Sequence, residues 1–164
     1  MSAQKAGLKF EKDVASAVEE DTGELTRVVF GGGTSGNVRI PQPDLHITHW
    51  DGGIKVYNIE IKRSTADRFY IEADDFDQLR ECCNRYTTPV FMMKFTHREP
   101  VVVVFGSLKA VKAHTAALEL PECFNPHVTK SGSLRLDKPD TGQWQSSQGG
   151  RKDHEVLMDD LDIV

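Results

Sequence analysis

Apolar residues recur with a helical period near the start of the chain, where Leu8, Val14, Ala15 and Val18 form one stripe on a helical wheel. This predicts an amphipathic helix from about Lys5 to Glu20, closed by Asp21-Thr22-Gly23. Glu11 falls inside the stripe, between Val18 and Ala15. The period then changes to that of strands. Glu24–Phe30 is rich in β-branched residues, and Asp44–Trp50 and Ile54–Lys62 flank Asp51-Gly52-Gly53, a hairpin turn signal. Between the first two strands runs GGGTSGNVRIPQP, too glycine-rich and irregular for helix or sheet. Helical spacing returns with Phe76, Leu79, Cys82, Cys83 and Tyr86, predicting a helix over 74–86 capped by Asp74 or Asp75. Pro89–Phe95 and Pro100–Phe105 read as strands buried on both faces, and Ser107–Leu118 as a short helix. The order αβββαββα predicts a small α/β core.

The character shifts after Pro121. Residues 137–152 are polar and rich in Gly, Ser and Gln, the composition of a flexible linker, and the last stretch alternates acidic with apolar residues. The expected organisation is a catalytic domain over 1–120 and an extension over 121–164 that includes a flexible acidic tail. A disordered terminus is the simpler expectation for that tail. Its Val156-Leu157-Met158 and Leu161 could alternatively fold onto a protein partner.

Composition changes this picture little. A chain of 164 residues can bury a core as one domain. Of the net charge of −5, −3 falls in residues 151–164, where Arg151 and Lys152 face Asp153, Glu155, Asp159, Asp160 and Asp162. The rest is near balance, so a local basic face remains open. Cys82, Cys83 and Cys123 have no disulfide or zinc spacing and are expected to be reduced thiols in or near the core. No apolar run reaches bilayer length and no signal-peptide core opens the chain, so no membrane contact and a cytoplasmic location are expected.

The chemistry lies in Pro43-Asp44 and Glu60-Ile61-Lys62. Strand alternation points Glu60 and Lys62 to one face with Asn58 and Val56, while Tyr57, Ile59 and Ile61 face the other way. A three-residue turn at 51–53 pairs Trp50 with Ile54, and that register sets Asp44 opposite Glu60. Paired side chains on one face approach to about 5 Å. Two carboxylates so close repel unless positive charge lies between them, and a divalent ion held by hard oxygen ligands answers that need. Glu11, a carboxylate in an apolar stripe, must also be paired or neutralised and could join them. The expected catalytic set is Glu11, Asp44, Glu60 and Lys62, with Glu11, Asp44, Glu60 and the Ile61 carbonyl as metal ligands. Mg2+ suits such a site and Mn2+ should substitute. The chemistry is phosphodiester hydrolysis, with Lys62 orienting the attacking water and stabilising charge on the phosphate.

The pattern matches the PD-(D/E)xK nucleases, and within them the chain resembles the archaeal-type Holliday junction resolvases from about Gly7 to Phe95. The resemblance runs through GLKFEKDV, Thr26-Arg27-Val28-Val29, the Gly/Ser loop before PDL, IEIKRS and FYIEADDFDQL. It implies a restriction-endonuclease-like core, a small mixed β-sheet flanked by helices. It also implies a homodimer that cuts four-way DNA junctions with two magnesium-dependent sites. By position it carries over Glu11, Asp44, Glu60 and Lys62 as the catalytic set and Arg27 as a DNA-phosphate contact. Ser35 or Thr34 stands for a loop serine. Phe69, Tyr70 and Phe76 match aromatic positions, open to core or dimer packing. Lys12 stands where the family often has arginine, keeping charge but losing the two-pronged hydrogen bond. The acidic overall charge is a further departure from basic relatives.

Lys5, Lys9, Lys12, Arg27, Arg39, Arg63 and Arg68 lie near the site in sequence and could together bind phosphates; Lys12, Arg27, Ser35 and Arg63 are the principal DNA-binding candidates. His46 and His49 are three apart on a strand, face opposite sides and cannot chelate together; no histidine is assigned to metal. Two other functions remain open: a nuclease of the same fold acting on flaps, single strands or duplex ends, and a non-catalytic DNA-binding assembly protein. The complete set of three carboxylates and a lysine argues against the latter.

Overall fold

The computed structural model describes residues 3–22, 26–30, 43–50, 52–146 and 149–163, with backbone alone for 3–6, 27, 29 and 30. Helix α1 (Ala3–Thr22) leads into strand β1 (Thr26–Phe30), the hairpin β2 (Leu45–Trp50) and β3 (Ile54–Ser64), then β4 (Arg68–Ile71) and helix α2 (Ala73–Cys82). Strands β5 (Thr87–Phe95) and β6 (Val101–Val104), helix α3 (Ala113–Glu119), strands β7 (His127–Val128) and β8 (Leu134–Asp137) and helix α4 (Asp153–Asp160) follow. The main sheet has the order β1-β2-β3-β5-β6, with β3 and β5 parallel and the other pairs antiparallel. A second sheet runs β4-β8-β7.

The hairpin register is the expected one: Trp50 pairs with Ile54 and Leu45 with Ile59. Gly52 sits at φ +66° in the turn, a left-handed conformation that glycine adopts without steric cost. Apolar alternation splits the core into two clusters. Tyr57, Ile59 and Ile61 of β3 and Val90 and Met92 of β5 pack with Val14, Ala15 and Val18 of α1. Phe91, Met93 and Phe95 point the other way, against Phe76 and Leu79 of α2 and Leu134 and Leu136 of β8. On β3 this second face carries Asn58 and Glu60, both buried, and Lys62. A polar stripe thus runs through the layer between sheet and α2.

Several expectations are corrected. Helix α2 begins at Ala73 with Glu72 as its cap, not Asp74 or Asp75, and ends at Cys82 rather than Tyr86. Asn84 ends it: its side chain accepts from the Tyr86 amide at 2.8 Å and from Thr87 Oγ1 at 3.1 Å, turning the chain into β5. Strand β5 is buried throughout its apolar run, but β6 is an edge strand with Val104 exposed. The segment expected to be helical from Ser107 is broken into a 3-10 turn at Leu108–Ala110 and α3.

The largest correction is the tail. Instead of a flexible acidic terminus, α4 packs Val156 and Leu157, followed by Leu161 and Ile163, into the protein's own interior. The Tyr57 hydroxyl donates to the Leu161 carbonyl at 3.0 Å. Residues before α4 dock as well: Trp144 Nε1 donates to the Glu99 carbonyl at 2.8 Å, and the Arg151 guanidinium pairs with Glu99 and Asp159. Each acidic residue between the apolar ones was legible; that the apolar ones would find this chain's own helix α1 was not. The residues offered to a partner are therefore occupied internally. Among the described residues no helix is long and apolar enough to cross a membrane.

Candidate active site

The site forms where the β2–β3 ladder ends. Pairing stops at Leu45–Ile59, and one residue beyond it Asp44 Oδ2 accepts a hydrogen bond from the Ile61 amide at 2.8 Å. Asp44 is thereby held against Glu60, as the register predicts. The two carboxyls lie within hydrogen-bonding reach of each other. Burial, then the neighbouring Asp44 charge, pushes Glu60 up to about 9. Asp44 is also raised by burial, against the pull of the Ile61 amide.

Glu11 reaches the same place from α1. It is half-buried, its Oε2 has no hydrogen-bond partner among the described residues, and its carboxyl is raised to about 7 by burial and by Asp44. Lys62 opposes these shifts in Glu11, Asp44 and Glu60, so its ammonium lies within electrostatic reach of all three. Its ion pair, however, is with Asp75 of α2, Nζ to Oδ1 at 2.7 Å. The four expected residues are therefore brought together, and a fifth, Asp75, joins them. The sequence signal at Asp75 was that of a helix cap. The cap is Glu72 instead, and Asp75 closes the capping box three residues on, its Oδ2 accepting from the Glu72 amide at 2.9 Å; nothing in the local pattern points to Lys62.

The donor set suits a hard divalent ion. All three side chains offer carboxylate oxygens, one of them buried and unpartnered. Among the described residues no three His, Cys, Asp or Glu side chains already converge as a cage.

The other candidates divide. Lys12 is exposed on α1, and Arg63 is exposed with its guanidinium 5.7 Å from the centre of the Phe10 ring. Lys9 is paired with Asp13, and Arg68 with Asp137. Arg27 lies on β1 opposite Thr48, its side chain outside the described residues; Thr34, Ser35 and Arg39 also lie outside them. Phe76 is core, edge-on to Phe91 at 5.1 Å, and Phe69 packs on Phe95, whereas Tyr70 is exposed. Two histidines make structural contacts: His46 Nδ1 meets Asn58 Oδ1 at 2.5 Å and His49 Nδ1 meets Thr26 Oγ1 at 2.9 Å. All three cysteines are free thiols.

Comparison with known proteins agrees with this geometry. The family model described as archaeal Holliday junction resolvase (Hjc) matches residues 2–125. Among solved structures, Hjc of Archaeoglobus fulgidus, a Holliday junction resolvase from an archaeal hyperthermophile, superposes with a TM-score of 0.54 at 15% identity, covering 92% of this chain and 98% of that one. At that identity the likeness is one of fold, the restriction-endonuclease-like architecture. No curated protein matches the chain. With about three quarters of its length matched by the family model, this chain belongs to the archaeal Holliday junction resolvase family of junction-resolving nucleases.

Proposed function

We propose that this protein is a metal-dependent endonuclease that cleaves four-way DNA junctions by phosphodiester hydrolysis, acting as a homodimer. The observation that carries the reading is Asp44 held beside Glu60 at the end of the β2–β3 ladder, with Glu11 and Lys62 within electrostatic reach and the Glu11 oxygen buried and unpartnered among the described residues. Glu11, Asp44 and Glu60, with the Ile61 carbonyl, would hold Mg2+, for which Mn2+ substitutes. When bound, such an ion supplies a water activated near neutral pH and neutralises charge at the leaving oxygen.

The chain's own groups do the rest. The Ile61 amide fixes the Asp44 carboxylate. Glu60 stands beside Asp44, where positive charge between the two carboxyls would relieve their repulsion. Lys62 presents its ammonium to the phosphate and its attacking water. Lys12 and Arg63, exposed beside α1, and Arg27 and Ser35 would contact the DNA backbone and set register without reading sequence. Family membership supports branched DNA as the substrate and a dimer as the working form.

The test is cleavage by purified protein with Mg2+ on a synthetic four-way junction, beside duplex, flap and single-stranded DNA, with Lys62→Ala as control. Paired symmetric nicks on the junction, absent in the variant, are the expected result. Equal cutting of every substrate would overturn junction selectivity, and a junction bound but never cut would overturn catalysis.

A further inference from the structure

We propose that Asp75 is a positioning residue for this site: it holds the Lys62 ammonium away from Asp44 and Glu60, keeping those carboxylates open to a divalent cation. The inference rests on the reading of Glu11, Asp44 and Glu60 as the cation-binding set. It concerns a residue that neither the motif nor the resemblance singles out.

Lysine carries its charge on a flexible four-carbon stem. Left alone beside two acidic groups, it would be expected to fall onto them. It does not: among the described residues Lys62 makes no ion pair within 4.0 Å of Asp44 or Glu60, and its pair is Asp75 at 2.7 Å. Both side chains of that pair are largely shielded, 29% and 21% exposed, so solvent weakens it less than a surface pair.

Asp75 can serve as an anchor because it is itself anchored. One carboxylate oxygen takes Lys62, and the other accepts the Glu72 amide in a reciprocal cap at the start of α2. Phe76 and Leu79, both fully buried, pin that helix to the sheet. Glu72 is braced in turn, its Oε2 accepting from Ser133 Oγ at 2.8 Å. Ser133 is buried next to β8 and lies beyond residues 2–125, the span matched by the family model. The second sheet thus supports the cap that holds Lys62. The Asp75 charge also lies within electrostatic reach of Asp44 and Glu60, so it favours a cation in their midst by field as well as by restraining Lys62.

These two effects separate in a double-mutant cycle read by Mn2+ binding in the calorimeter, without DNA. Asp75→Asn keeps an oxygen for the Glu72 amide and removes the charge that holds Lys62. It is expected to weaken Mn2+ binding about tenfold in the native background and by less than about threefold when Lys62 is already Met. An equal loss in both backgrounds would overturn positioning and leave only field. No loss in either would overturn the proposal altogether. Cleavage supplies a second readout: Asp75→Asn should lower kcat about tenfold or more at saturating Mg2+ and junction, with KM for the junction within about twofold and partial rescue by Asp75→Glu. A raised KM with unchanged kcat would overturn it. If the cycle shows the expected coupling but the native protein cuts no junction, the assignment of Asp75 stands and the nuclease reading falls. Thermal melting of each variant separates both results from loss of fold.

Discussion

The two acidic regions of this molecule treat their charges in opposite ways. Around α4 several charges have partners: Lys94 with Asp153 at 2.9 Å, Arg151 with Glu99 and Asp159, and His154 with Asp21 at 2.7 Å. At the end of the β2–β3 ladder, Glu11, Asp44 and Glu60 make no ion pair among the described residues and are all raised by burial. The first region is satisfied structure. The second stores unfavourable electrostatics that only positive charge relieves, as expected where chemistry is done. Acidity alone therefore says little; whether a cation is built in distinguishes clasp from site.

The sharpest break of this contrast is Asp44→Asn. The amide keeps an acceptor for the Ile61 N–H, so the fold should hold, while junction cleavage should fall by at least about 10²-fold. Loss of fold on thermal melting would move Asp44 to the structural side. On the clasp side, Leu157→Ala should cost about 2–5 kcal/mol in chemical denaturation, the cavity cost of a fully buried leucine. A cost below about 0.5 kcal/mol would mean that α4 does not pack as described, since surface substitutions stay within that range.

The remaining effect is in pH. Without metal, Glu60 holds its proton up to about 9 when folded, against an ordinary value of 4.5. The folded state therefore binds a proton that the unfolded chain has released. The associated stability is fully present below 4.5 and is lost as pH rises towards 9, by at most about 1.4 kcal/mol per pH unit. Glu11, raised to about 7, adds to the fall in the lower part of that window. Glu60→Gln should flatten the slope and stabilise the metal-free protein above neutrality. A native stability that does not change between about pH 5 and 9 would remove the stored repulsion on which the contrast rests.

What could be read from the chain alone was whatever is local or periodic. The buried Val14, Ala15 and Val18 of the α1 stripe and the hairpin register that opposes Asp44 to Glu60 follow from helix and strand periods and one hairpin, and they appear in the structure. Tertiary structure decided the rest, for three reasons. Helix α2 stops at Cys82 because Asn84 offers the backbone a competing turn, which the apolar period does not register. The acidic tail folds because Leu157 and Leu161 meet α1 and β3, surfaces far away in sequence that no composition rule reports. Asp75 reaches Lys62 only because the crossover after β3 brings the start of α2 back over the strand. Sequence determined which residues could do chemistry; the fold decided which of the described charges were paired and which carboxylates make no ion pair.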